Sequence, residues 1–229
     1  MSDSPAFIFD HPLYVAARQS RLRNLFQHLD VRRLSGKRIL EPGCGTGELG
    51  QSFVDAGCNV VSVDARPEYV EEVHRRFPDR EAYVMDLEHC DPTPLGSFDA
   101  VFCFGLLYHL STPSKFLAAC GRIAPELFLE TVVSDSDKPD CPLLFEEGPD
   151  QAVSGRGCRP SPSWIREVLG GMGFVVNDIS SGGANWSGDS PSVFDWTARN
   201  DGTWMRDGAL IRKMFLCSRY PAPEVNVRA

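Results

Sequence analysis

Positive charge is scarce in this chain. Lysine and arginine total 23 against 31 aspartates and glutamates, a net charge of −8. A balance this acidic argues against a broad nucleic-acid-binding surface. Long apolar runs are missing too: nothing approaches the roughly 20 residues needed to cross a bilayer. The first residues, Met1-Ser2-Asp3-Ser4-Pro5, lack the basic-then-apolar order of a signal peptide, so a cytoplasmic protein is expected. Paired cysteine motifs are also lacking. Eight cysteines are present (44, 58, 90, 103, 120, 141, 158 and 217), and no two stand as CxxC. Several sit in apolar runs, which fits buried free thiols better than a disulfide framework or a zinc site. No metal is expected. No internal repeat occurs, and no linker divides the chain. At 229 residues, 42% hydrophobic, one domain spanning residues 1–229 is expected.

What is present begins with Lys37-Arg38-Ile39-Leu40-Glu41-Pro42-Gly43-Cys44-Gly45-Thr46-Gly47. A short apolar run ends in an acid, then three glycines alternate with small residues. This reads as a strand, a tight turn and a helix start. Glycines stand where a backbone takes positive φ or lets a ligand come close. The spacing is not that of a GxGxxG dinucleotide turn, since position 48 is Glu. The acid at 41 suits a ligand whose nearest part is cationic better than a pyrophosphate.

From there strands and helices alternate. Strands are expected at residues 38–41, 59–64, 81–85, 97–104 and 126–131. Helices are expected at 48–56, 67–77 and 113–120. A further helix follows Ser161, then a strand at 174–179 and a last one at 211–217. Short apolar strands alternating with helices imply a parallel sheet covered on both faces. Ahead of this unit, Leu22, Leu25, Phe26 and Leu29 recur at helical spacing, with a start near Asp10-His11-Pro12. Tyr14 and Arg18 lie one turn apart and share a face.

Two more acids end strands in register with the glycine turn: Asp64 after the second and Asp86 after the third. A carboxylate accepts both hydroxyls of a ribose at once. In an open α/β sheet, Glu41, Asp64 and Asp86 would converge on one crevice. Strand four leads into Phe104-Gly105-Leu106-Leu107-Tyr108-His109-Leu110.

At these residues the chain resembles the class I S-adenosylmethionine-dependent methyltransferases. The acid-x-Gly-x-Gly-x-Gly turn is that family's first motif, and the Gly-x-Leu-Tyr-His-Leu segment is found in one large branch of it. The resemblance implies an α/β, doubly wound, mostly parallel seven-stranded sheet (Rossmann-like). It also implies the order 3-2-1-4-5-7-6, with the last strand antiparallel. It implies S-adenosylmethionine as cofactor, held by Glu41, Gly43, Cys44, Gly45, Gly47, Asp64, Ala65, Asp86, Leu87 and Phe104. Asp86 would accept from the adenine amino group, and Arg18 on a helical lid (about residues 10–35) would meet a carboxylate. His109 is the expected general base, beside Tyr108 and Tyr14 as substrate walls; a structural histidine bonded to the backbone is the alternative reading. The Asp-x-Pro-Pro-Tyr segment of adenine and glutamine-amide methylators is absent, with Asp99-Ala100-Val101-Phe102 in its place.

Two stretches break the rhythm. Residues 133–160 are polar with weak periodicity and read as a long loop. Residues 180–208 carry Trp186, Phe194, Trp196 and Trp204 among polar residues. Trp196 and Trp204 are expected substrate contacts, since aromatic faces suit a sugar ring or a planar molecule; packing of a folded hairpin is the alternative. The expected partner is a small-molecule or saccharide acceptor. The runner-up is RNA, held by the seven basic residues between His11 and Arg38, which stand against one acid. A third reading is a silent cofactor-binding module. Neither the acceptor nor the oligomeric state follows from the sequence.

Overall fold

A computed structural model describes residues 7–146, 153–180, 186–187, 190–191 and 211–219. Seven strands form one sheet: β1 Arg38–Pro42, β2 Asn59–Asp64, β3 Glu81–Val84, β4 Ala100–Phe104, β5 Glu126–Val133, β8 Val175–Asp178 and β11 Ile211–Ser218. Their order is β3-β2-β1-β4-β5-β11-β8. All neighbours from β3 to β5 are parallel, and β11 runs antiparallel to both β5 and β8. This is the expected seven-stranded, mostly parallel sheet, with its last strand inserted in reverse.

Among the described residues five α-helices flank it: α1 Pro12–His28, α2 Glu48–Asp55, α3 Pro67–Arg76, α4 Pro113–Ile123 and α5 Pro162–Gly171. Four of the five open on a proline, whose missing N–H costs nothing in a first turn. Ser161 also caps α5, its Oγ accepting from Trp164 N at 3.1 Å.

Side-chain alternation along the strands builds two cores. Ile39, Val60, Phe102, Phe104 and Phe128 face one side, against Leu25 of α1 and Phe53 of α2. Leu40, Val61, Val101, Cys103 and Leu127 face the other, against Phe116 and Leu117 of α4 and Ile165 and Leu169 of α5. Burying a side chain such as Phe53, fully enclosed here, contributes about 1.5–3 kcal/mol. All eight cysteines are free, and six are buried.

Residues 133–160 correct the expected loop. They contain a hairpin, β6 Leu143–Phe145 against β7 Arg156–Cys158. The segments 143–145 and 156–158 are too short and mixed to show a period, and Gly157 in the second strand hides it further. In the second stretch β9 Trp186–Ser187 pairs with β10 Ser190–Pro191. Trp196 and Trp204 lie outside the described residues. Among those described, no helix is long and apolar enough to cross a membrane.

Candidate active site

The strands end together, and the crevice beyond their carboxyl ends is a cavity of about 240 Å³. Its floor is the glycine turn. Gly43 N and Cys44 N donate to Val63 O at 2.8 and 3.1 Å, which locks the turn to β2. Gly45 N donates to Asp64 Oδ2 at 2.9 Å, and Arg66 N to Asp64 Oδ1 at 3.0 Å. A Cβ on Gly45 would stand 2.8 Å from the Phe9 ring, so glycine lets the N-terminal segment close down on the turn. Burial raises the Asp64 pKa above its ordinary value, and the two amides oppose that. Two amide bonds leave lone pairs of this carboxylate facing the cavity, suited to hydroxyl donors.

Cys44, Ala65, Asp86, Leu87 and Phe104 line the same cavity. Asp86 is held by Glu88 N at 3.0 Å and by His89 Nδ1 at 2.8 Å. From above come Phe9, Tyr14, Arg18 and Arg21. Phe9 packs edge-on against Tyr14 and Tyr69, with centroids 5.9 and 5.3 Å apart. Arg76 fastens this segment to α3. It donates to Asp10 Oδ1 and Oδ2 at 2.8 and 2.7 Å and to Glu72 at 2.5 Å, and it also bonds Glu48.

Two residues expected at the cofactor do not line the cavity. Glu41 does not reach the cavity. It is 2% exposed and turns under α2, accepting from Gly50 N at 2.6 Å and Ser62 Oγ at 2.7 Å, with Arg80 3.5 Å away. Gly50 has no Cβ because one would fall 2.3 Å from the Glu41 carboxylate. Burial pushes the Glu41 pKa up to about 7, against the pull of Ser62, Arg80 and the Gly50 amide. The acid braces the turn from beneath. Gly47 also stays outside the cavity. With φ at +84° it begins α2, and a Cβ there would press on Val73 at 3.0 Å.

The other half of the cavity is built differently. His109 Nδ1 lies 2.7 Å from Glu146 Oε2, just beyond β6. Arg159, just beyond β7, donates to Glu146 Oε1 at 2.8 Å. Burial raises the Glu146 pKa, but the bonds from His109 and Arg159 outweigh it and hold the carboxyl below its ordinary value. The hairpin docks tightly: a Cβ on Gly157 would meet Tyr108 O at 2.3 Å. Arg212 of β11 donates to Glu130 Oε1 at 2.8 Å and to Tyr108 Oη at 3.2 Å. Arg21 of α1 donates to the other Glu130 oxygen at 3.3 Å. Burial pushes the Glu130 pKa up, and the two arginines pull it below its ordinary value.

Glu130, Glu146, Arg159 and Arg212 were not singled out in the sequence. Glu130 carried a usable signal: like Asp64, it is an acid near the carboxyl end of an apolar strand. Arg212 is a charge inside a buried strand, and that too is visible. Glu146 and Arg159 sit in the unread hairpin, 13 residues apart, and nothing local joins them to His109.

The order of the sheet, the crevice at its switch point and the acid at the end of β2 define a Rossmann-like domain that binds a nucleoside-bearing molecule. Residues 40–125 match the family model described as a methyltransferase domain. Among curated proteins, the chain is similar to ubiquinone biosynthesis O-methyltransferase of Xanthomonas oryzae pv. oryzae, 33% identical over 106 residues, 43% of this chain and 44% of that protein. It is also similar to tRNA U34 carboxymethyltransferase of Azotobacter vinelandii, 36% identical over 118 residues, 48% of this chain and 36% of that one. The chain thus spans less than half the length of these curated relatives. Among solved structures it resembles the N-terminal domain of EvdMO1, crystallised with SAH and D-fucose: TM-score 0.66, 20% identity, 93% of this chain and 84% of that one. It also resembles magnesium protoporphyrin IX methyltransferase of Synechocystis PCC 6803, with a TM-score of 0.58 and 17% identity over 95% and 86% of the two chains. Residues 40–125 thus carry a methyltransferase-domain match, on a fold shared with solved S-adenosylmethionine-dependent methyltransferases.

Proposed function

We propose that the chain transfers the methyl group of S-adenosylmethionine to an oxygen or nitrogen of a small molecule or saccharide. The observation that carries this is the pairing of His109 with Glu146 at the wall of the cavity that Asp64 also faces. The bound cofactor supplies an electrophilic methyl group. Asp64 would accept from ribose hydroxyls, Asp86 and Leu87 would meet the adenine, and Arg18 on a helical lid would meet the amino-acid carboxylate. Tyr14 and Tyr108 would wall the acceptor.

The Glu146 carboxylate only accepts, so His109 Nδ1 donates to it. In the neutral imidazole Nε2 then carries the lone pair. His109 takes the proton of an acceptor hydroxyl or amine, while Glu146 stabilises the resulting imidazolium. The acceptor lone pair forms the new bond to carbon as the carbon–sulfur bond breaks. Positioning the two reactants contributes the rest.

The relative named as a tRNA carboxymethyltransferase makes RNA the second reading. The basic segment speaks against it. Six of its seven basic residues, Arg18, Arg21, Arg32, Arg33, Lys37 and Arg38, pair with Glu48, Glu130, Asp30, Glu126, Asp99 and Glu81. Charges already matched to carboxylates offer little to a phosphate backbone. Isothermal titration should show binding of S-adenosylmethionine and none of NAD. Methyl-labelled cofactor should then mark small molecules of a cell extract and leave its RNA unmarked. Preference for NAD would overturn the reading, and label in RNA would favour the second one.

A further inference from the structure

The cavity follows the sheet from β3 to β1. Asp86 and Leu87 stand past the end of β3, Asp64 at the end of β2, and the glycine turn past β1. A molecule with its base at β3 and its ribose at β2 brings its remaining arm to β1. In S-adenosylmethionine that arm is an amino acid, with an ammonium and a carboxylate on one carbon. Among the described residues four acids line the cavity: Glu48, Asp64, Asp86 and Glu88. Glu88 is taken up by Ser111 N, Ser111 Oγ and Thr112 Oγ1, at 2.6, 2.7 and 2.8 Å. Glu48 stands just past the glycine turn, in the first turn of α2. Its Oε2 accepts from Thr46 Oγ1 at 2.7 Å and from Arg18 at 3.4 Å, and its Oε1 accepts from Arg76. An ionised carboxylate offers about four lone-pair positions, so these bonds leave room for another donor. Arg18 lines the cavity too, and it is loosely held. Its bonds to Glu48 and to Phe9 O are 3.4 and 3.5 Å long, against about 2.7–2.9 Å for a well-formed charged bond.

We propose that Glu48 and Arg18 together receive the amino-acid end of S-adenosylmethionine, Glu48 taking the ammonium and Arg18 turning from Glu48 to the carboxylate. This deepens the methyl-transfer reading above and rests on it. The two side chains meet each other across a long contact, and both are partly open, at 19% and 20% exposed. The ligand's two charges are opposite and adjacent, so they enter between the pair and give each side chain a closer partner. Acid and base exchange partners, and neither is left uncompensated in a sheltered site, where an unmatched charge is costly. Arg76 holds Glu48 through Oε1 while Oε2 changes partner. An arm with one charge, or none, would leave part of the pair unanswered, so the site favours the full amino acid. Glu41, the acid expected to face a cationic group, does not line the cavity, whereas Glu48 does.

The test is calorimetric titration of the full chain with three adenosyl probes. S-adenosylhomocysteine carries both charges, its decarboxylated analogue keeps only the amine, and 5′-methylthioadenosine lacks the amino acid altogether. Glu48→Gln should weaken S-adenosylhomocysteine and the amine analogue about 10- to 100-fold, the worth of a hydrogen bond to a charged group, and leave methylthioadenosine as it was. Arg18→Gln should weaken S-adenosylhomocysteine by a similar factor and spare the other two. Unchanged methylthioadenosine binding also reports that the variants fold. An equal loss across all three probes means that these residues only fasten the lid, and that overturns the proposal. Loss of S-adenosylhomocysteine but not of the amine analogue in Glu48→Gln takes the ammonium away from Glu48 and overturns it as well. So does unchanged affinity for S-adenosylhomocysteine in either variant. If the unaltered chain binds none of the three probes, the cofactor is wrong and methyl transfer falls with it.

Discussion

The two halves of the cavity satisfy their polar groups in opposite ways. On the cofactor side, Asp64 is held by two backbone amides, Gly45 and Arg66. Those amides come from the same strand-turn-helix unit, at most 19 residues away. On the acceptor side, Glu130 and Glu146 are held by side chains from α1, β11, the hairpin and the turn after β4. Those partners are up to 109 residues apart. Backbone amides are fixed by the fold whatever the side chains are. Ion pairs between distant elements depend on every element being in place, and on each residue being the right type. On the proposed reading, the first half would serve many acceptors unchanged, while the second would define one.

The sharpest way to break this comparison is at His109. His109→Asn keeps a hydrogen-bond donor toward Glu146 but has no lone pair able to take a proton. Turnover should fall about 10²- to 10⁴-fold, with cofactor affinity unchanged, in steady-state kinetics and titration. Near-normal turnover would make His109 a positioning residue and move the base elsewhere. The counterpart on the cofactor side is Asp64→Ala. It removes a charged acceptor from two hydroxyls and should cost about 1–3 kcal/mol of cofactor binding, read by titration. The acceptor KM, measured at saturating cofactor, should hold. If it moves equally, the two halves are not separable.

Their different constructions also explain what could be read from the chain beforehand. The strand positions were legible because each strand is a short apolar run with a turn signal behind it, whereas the sheet order came only from the family resemblance. The glycine turn and Asp64 were legible because their partners are close in sequence. The place of Glu41 beside the turn was legible too, but a residue's neighbours do not reveal which face it takes. In β1 it points to the α2 side, where Gly50 makes room for it. Glu146 and Arg159 were not legible at all. Their significance arises only when the hairpin folds back onto Tyr108, and a three-residue strand carries no period.

A further test reaches that buried brace. With a folded pKa of about 7 against an ordinary 4.5, Glu41 holds its proton more tightly folded than unfolded. Between those values the folded state binds more protons, so this group makes stability fall as pH rises through the window. Its penalty is absent below 4.5 and complete above 7. Glu41→Gln should flatten that slope in urea unfolding followed across the same range. An unaltered slope would show that Glu41 is ionised throughout and fully matched by Arg80.

The segment over the cavity is fastened largely by charge. Arg76 gathers Asp10, Glu48 and Glu72, with its own side chain 17% exposed. A cluster this sheltered is screened by dissolved ions far less than an exposed pair. The clasp over Phe9 and Tyr14 should therefore keep its grip on whatever lies beneath it across a wide range of salt.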